Sequence, residues 1–199
     1  MGISLSKGQS IDLSKDGGGG LTKVFMGCGW DPAQPEKSGG FLGKLFGGGK
    51  VEDIDLDASV ILLDGNKNPI DVVWFQKLRS DDGSIEHGGD NLTGEGDGDD
   101  EVIYVNLEGL ARNVKYLVFT VNSFRGQTFN EVDNAFARLV DDTNGKEICR
   151  YALTEQGTHT GVIMASVEET GGGWKMTAHG TPTNGRTAQD LVSAAVAVL

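Results

Sequence analysis

Apolar and polar residues alternate along most of this chain, and the alternation has the period of a β-strand rather than of a helix. The clearest case starts at Ile54, where Ile54, Leu56, Ala58, Val60 and Leu62 share one face while Asp55, Asp57 and Ser59 share the other. The run becomes wholly apolar from Val60 to Leu63, as a strand buried on both faces does, which puts Asp55 and Asp57 at its wet end. Further strands are predicted at 22–30, 70–76, 102–107, 116–122, 135–140, 147–153, 161–167 and 174–179. Turns such as Asp64-Gly65-Asn66, Asn144-Gly145 and Gly171-Gly172-Gly173 separate them. Residues 1–13 alternate around Lys7-Gly8 and read as a short hairpin or two strand pieces. Thr187 and Asp190 have the spacing of a helix cap, and the apolar stretch 191–199 behind them predicts a terminal helix lying on a sheet. Many short strands and one late helix predict the all-β class. The expected architecture is a β-sandwich with a short C-terminal helix, one domain over 1–199, carrying a glycine-rich loop at about 32–50.

Charge adds the feature that the strand pattern cannot. Between Ser80 and Ala111 there are ten acidic residues and no Lys or Arg, so this segment carries −10 of the net charge of −12. Its centre, Asp90-Asn91-Leu92-Thr93-Gly94-Glu95-Gly96-Asp97-Gly98-Asp99-Asp100-Glu101, sets six carboxylates among three glycines. Carboxylates packed this closely raise one another's pKa unless a cation sits among them. The segment itself offers no cationic side chain, so a bound metal ion is the natural candidate. Carboxylates, the Asn91 amide, the Thr93 hydroxyl and glycine carbonyls are hard oxygen ligands of the kind Ca²⁺ accepts. No Cys lies nearby, and His87, beside Gly88-Gly89, reads as a solvated loop residue, which argues against zinc or copper. The segment is not an EF-hand loop, because Leu92 and Gly94 stand where oxygen side chains are required. A solvated acidic loop is the alternative that the residues alone leave open.

Other function classes lose ground on composition. The chain has no cluster of Lys and Arg, so nucleic acid is not an expected partner. No apolar run approaches the roughly 18 residues of a membrane-spanning helix. Nothing near Met1 resembles a secretory signal, and Cys28 and Cys149 stand far apart, so a reduced cytoplasmic location is expected. Lys50 is followed by Val51, which excludes a phosphate-binding loop at 41–50.

Several stretches together resemble the TerD/TerZ family of tellurium-resistance and stress proteins. They are Gly29-Trp30-Asp31, Asp55-Leu56-Asp57-Ala58-Ser59, Gly89-Asp90-Asn91 and the run from Thr93 to Glu101. The 41–49 loop is similar to the TerZ branch in particular. The resemblance implies a calcium-binding, C2-like β-sandwich in the bacterial cytoplasm, acting in resistance to tellurite, some phages and some pore-forming colicins. It implies no catalytic activity. Its metal ligands would be Asp55 and Asp57 on the strand end and Asp90, Asn91, Asp97, Asp99 and Glu101 in the loop, with Asp31 as a further member. These acids suffice for one or two Ca²⁺ ions. The implied partners are other proteins of the tellurium-resistance system, with docking at the inner face of the membrane as a variant. The competing reading is a metal-dependent phosphohydrolase built on the acidic cluster. It lacks a cationic residue near the cluster in sequence to hold a phosphate. Direct thiol chemistry on tellurite by Cys28 and Cys149 is a third reading.

Overall fold

The computed structural model describes residues 2–13, 21–33, 54–89, 98–154 and 156–199. The expected glycine-rich loop lies outside these residues beyond Ala33, as do the expected ligands Asp90, Asn91 and Asp97. Among the described residues the strands are β1 (Ile3–Leu5), β2 (Ser10–Asp12), β3 (Lys23–Pro32), β4 (Asp57–Leu63), β5 (Pro69–Val73) and β6 (Ile85–His87). They continue as β7 (Glu101–Asn106), β8 (Tyr116–Asn122), β9 (Val132–Asp141), β10 (Lys146–Ala152), β11 (Gly161–Glu169) and β12 (Trp174–Thr183), followed by the helix α1 (Val192–Ala197).

Two six-stranded sheets form, as the alternation predicts. The first has the order β1-β10-β9-β3-β7-β6 and the second β2-β12-β11-β8-β4-β5. Pairing is antiparallel except between β1 and β10. Val24, Met26 and Cys28 of β3 meet Ala58, Val60 and Leu62 of β4, with Leu117 and Phe119 of β8, in one core between the sheets. The outer face of the second sheet carries a second apolar cluster, in which Leu191 and Ala195 cover Ile61, Leu63, Val118 and Ile163. That cover is why β4 is apolar on both faces from Val60 to Leu63. The terminal cap forms as its spacing predicts: Asp190 Oδ2 accepts from the Thr187 backbone at 3.0 Å, and Thr187 Oγ1 accepts from the Asp190 backbone at 3.4 Å.

Of the two readings of residues 1–13, two strand pieces is the one that forms, since β1 joins the first sheet beside β10 and β2 joins the second beside β12. Two expectations are corrected. Asp55 and Asp57 are not at a wet end: they are 6% and 3% exposed, because the 123–127 turn folds over them. His87 is not a solvated loop residue but the last residue of β6, 3% exposed. The strand expected at 135–140 also begins earlier, at Val132. A bulge opposite Gly29–Asp31 and the positive φ of Asn134 (53°) break its alternation, so period counting stops short.

Candidate metal centre

The C-terminal end of β3, the N-terminal ends of β4 and β7 and the C-terminal end of β8 meet at one end of the sandwich. The cross-links are specific. Trp30 Nε1 donates to the Ile54 carbonyl at 3.1 Å, and the Trp30 backbone donates to Asp100 Oδ2 at 2.8 Å. Glu101, which starts β7 in the first sheet, reaches across to β4 and accepts the Ala58 N–H at 2.6 Å. The acids that sequence spacing singled out, spread over Asp31, Asp55 and Asp57, and Asp99 to Glu101, therefore share this end.

They do not share one point. Asp31 is exposed on the outer face of the first sheet and accepts from Asn134 Nδ2 at 2.8 Å. Asp99 lies on that same face, over Gly27, where a Cβ would collide with its carboxylate. Its two oxygens accept from Arg138 Nε at 2.6 Å and Nη2 at 2.7 Å, a bidentate fork. Glu101 points inward, and its side chain is fully buried. Asp55 and Asp57 lie on the outer face of the second sheet. Asp55 Oδ2 pairs with Arg125 Nε at 2.7 Å, and Asp57 Oδ2 accepts the Phe124 N–H at 3.3 Å.

His87 completes the inner end of this arrangement. Its Nδ1 accepts the Gly89 N–H at 3.2 Å, so the proton sits on Nε2, which donates to the Ala58 carbonyl at 3.1 Å with Glu101 Oε2 at 3.4 Å. β5 pairs with β4 only from Val60 onward, leaving the Ala58 peptide without a strand on that edge. Glu101 and His87 take the place of that missing strand.

Residues that spacing could not reveal are Arg125 and Arg138, while His87 and Asp100 stand within the 80–111 segment without being among its expected ligands. Both arginines lie outside the 80–111 segment and reach its acids or their neighbours only through tertiary folding. Arg138 holds Asp99 with both arms of its fork, while Arg125 holds Asp55 through Nε. Burial raises the pKa of Asp100; the Trp30 N–H works against this, and the nearby Asp31, Glu101 and Asp99 add to the rise. The same physics acts on the two thiols, both of them buried. Burial pushes Cys28 well above its usual value and Cys149 up to about 12, with nearby carboxylates adding to both.

As donors, the acids at this end are all hard oxygen and suit Ca²⁺. Among the described residues, however, no three acidic, His or Cys side chains converge on a point. A calcium centre here would draw the rest of its ligands from 90–97.

Comparison with known proteins agrees with this architecture. The model of the TerD domain matches residues 1–194. The chain belongs to the TerD family. Among its relatives, tellurium resistance protein TerZ of Serratia marcescens is 54% identical over 96% of this chain and 95% of its own length. Stress response protein SCP2 of Bacillus subtilis is 42% identical over 97% and 98%. A crystal structure of a homologue of telluride resistance protein TerD from Streptomyces coelicolor shares the fold, with a TM-score of 0.66 at 19% identity over 87% of this chain and 96% of that one. The fold of this TerD-family chain thus has a crystallographic counterpart.

Proposed function

We propose that this TerD-family protein is a non-enzymatic calcium-binding protein of the tellurium-resistance and stress-response system. One or two Ca²⁺ ions neutralise the acidic run 90–101 and order it as a surface that other proteins of the system recognise. The observation that carries this reading is convergence: acids from three separate stretches of chain reach one end of the sandwich, while the two arginines there are already engaged. Further charge of the same sign must be balanced by something other than these side chains. Among the described residues no helix is long and apolar enough to cross a membrane. The relatives named for tellurium resistance supply the system, and family membership supports recognition within it.

The test is thermal melting of chelator-stripped protein. Ca²⁺ that binds only the folded chain stabilises it by about 2.7 kcal/mol at a hundred times Kd, and Asp97→Asn should remove most of that gain. An unchanged Tm between EDTA and millimolar Ca²⁺ would overturn the reading.

A further inference from the structure

Two tight turns, at the end of the sandwich where the acids gather, carry aromatic side chains that the turns themselves do not need. After β5 the chain reverses at Trp74-Phe75-Gln76-Lys77, where the Trp74 N–H donates to the Lys77 carbonyl at 3.1 Å and the Lys77 N–H to the Trp74 carbonyl at 2.8 Å. After β8 it reverses at Ser123-Phe124-Arg125-Gly126, where the Gly126 N–H donates to the Ser123 carbonyl at 3.3 Å and to Ser123 Oγ at 3.0 Å. Turn positions are ordinarily filled by Gly, Pro, Asn, Asp or Ser, whose backbone preference or short polar side chain serves the turn. Phe75 and Phe124 do neither.

The two tips meet. Phe75 packs edge-to-face against Trp74, with ring centroids 4.9 Å apart, and against Phe124, at 5.7 Å. The row is not sealed: Phe124 is 44% exposed, and Trp74 and Phe75 are half-buried. β5, which leads into the first turn, is the edge strand of the second sheet, and Ile70 on it and Leu78 just past the turn are exposed as well. Three of the five large apolar side chains exposed among the described residues thus lie on or beside these turns. Apolar surface gathered in one place in this way marks a contact surface.

Charge decides what suits that surface. Lys77, which ends the first turn, is shared by Asp71 and Asp81, and Arg125, which follows Phe124, holds Asp55. The border of the row therefore sets three carboxylates against two cations that are both engaged, on a chain of net charge −12. An anionic lipid surface or a nucleic acid would be repelled, whereas a cation is drawn to the acids and to the aromatic faces alike. We propose that the Trp74, Phe75 and Phe124 row docks a segment of a partner protein that carries Arg or Lys among apolar residues. Its apolar side chains cover the row, while a cationic head reaches Asp81 or lies over the exposed ring of Phe124. This contact goes beyond the proposed function: it uses none of the residues 90–101 and needs no bound ion.

The experiment is fluorescence anisotropy of a labelled peptide of alternating Arg and Leu, titrated with the full chain in EDTA and again in Ca²⁺, beside a second peptide with Ser in place of Leu. Wild type is compared with Phe124→Ala, Asp81→Asn and Tyr104→Ala, Tyr104 being an aromatic of similar exposure, 41%, on the first sheet. The Arg-Leu peptide should bind wild type and Tyr104→Ala equally, in EDTA as in Ca²⁺, and more tightly than the Arg-Ser peptide does. It should lose about tenfold in affinity in Phe124→Ala and about threefold in Asp81→Asn, which stands in should Phe124→Ala fail to fold. Equal affinity of the two peptides, or of Phe124→Ala and wild type, would overturn the proposal, even where Ca²⁺ raises Tm as the proposed function requires. So would binding to vesicles of phosphatidylcholine and phosphatidylglycerol, or dimerisation in sedimentation, that Phe124→Ala abolishes, since the row would then be a lipid contact or a contact between copies.

Discussion

Asp99 and Glu101 are two residues apart, carry the same charge and end in opposite environments. Asp99 lies on the outer face of the first sheet in the fork of Arg138, while Glu101 is fully enclosed between the sheets, bonded to a backbone N–H and standing against a neutral histidine. In a continuous strand they would point the same way. They do not, because β7 begins only at Glu101 and the backbone between the two acids bends at Asp100. The outer carboxylate meets a counter-charge from another strand; the inner one is held by a backbone N–H of the facing sheet. The comparison separates an acid that tethers the acidic run to the surface from an acid that joins the two sheets.

The sharpest way to break that distinction is Glu101→Ala. It deprives the buried Ala58 N–H of its acceptor and His87 of a neighbour, and should cost about 3 kcal/mol in urea denaturation. Glu101→Gln, which keeps an acceptor, should cost clearly less. Asp99→Ala leaves a partly exposed Arg138 that still has Glu147 at 3.4 Å, so a loss of about 1.5 kcal/mol or less is expected, shrinking as salt rises. Equal losses at the two positions would erase the distinction.

A third carboxylate sharpens it further because it has neither an arginine nor a place between the sheets. Burial alone would raise the Asp82 pKa, but hydrogen bonds from Ser84, Ser80 and the Ala111 backbone outweigh that and lower it from 3.8 to about 2. A depressed native value means that its contribution is present above the unfolded pKa near 3.8 and is lost as pH falls through about 2. Acid melting curves of Asp82→Asn should therefore be flatter than wild type within that window and parallel to it above. This is the smallest of the three effects, since the side chain stands partly in water.

What could be read from the chain beforehand was what depends on neighbours in sequence. The period of two located β4 and β8, and the Thr187–Asp190 spacing located the cap of the terminal segment, because both are written within a few residues. The family resemblance rested on local runs in the same way. Less legible was whatever the sheets bring together. Asp55 and Asp57 alternate as solvated residues do, yet the 123–127 turn, far along the chain, covers them. The counter-charges of Asp55 and Asp99 come from Arg125 and Arg138, so a search within 80–111 was bound to find no cation. β6 is only three residues long, too short for any period, and it took His87 with it into the interior.

The division of the opening segment between the two sheets has a consequence for how the protein is made. Ile3 takes its place beside Cys149 and Ile11 beside Met176, both near the far end of the chain. On the ribosome β1 and β2 emerge well before the strands that seat them. They must wait through most of translation with their edges bare, and such long-range closures are the slow events of β folding. When β10 and β12 arrive, the same short segment closes an edge of each sheet.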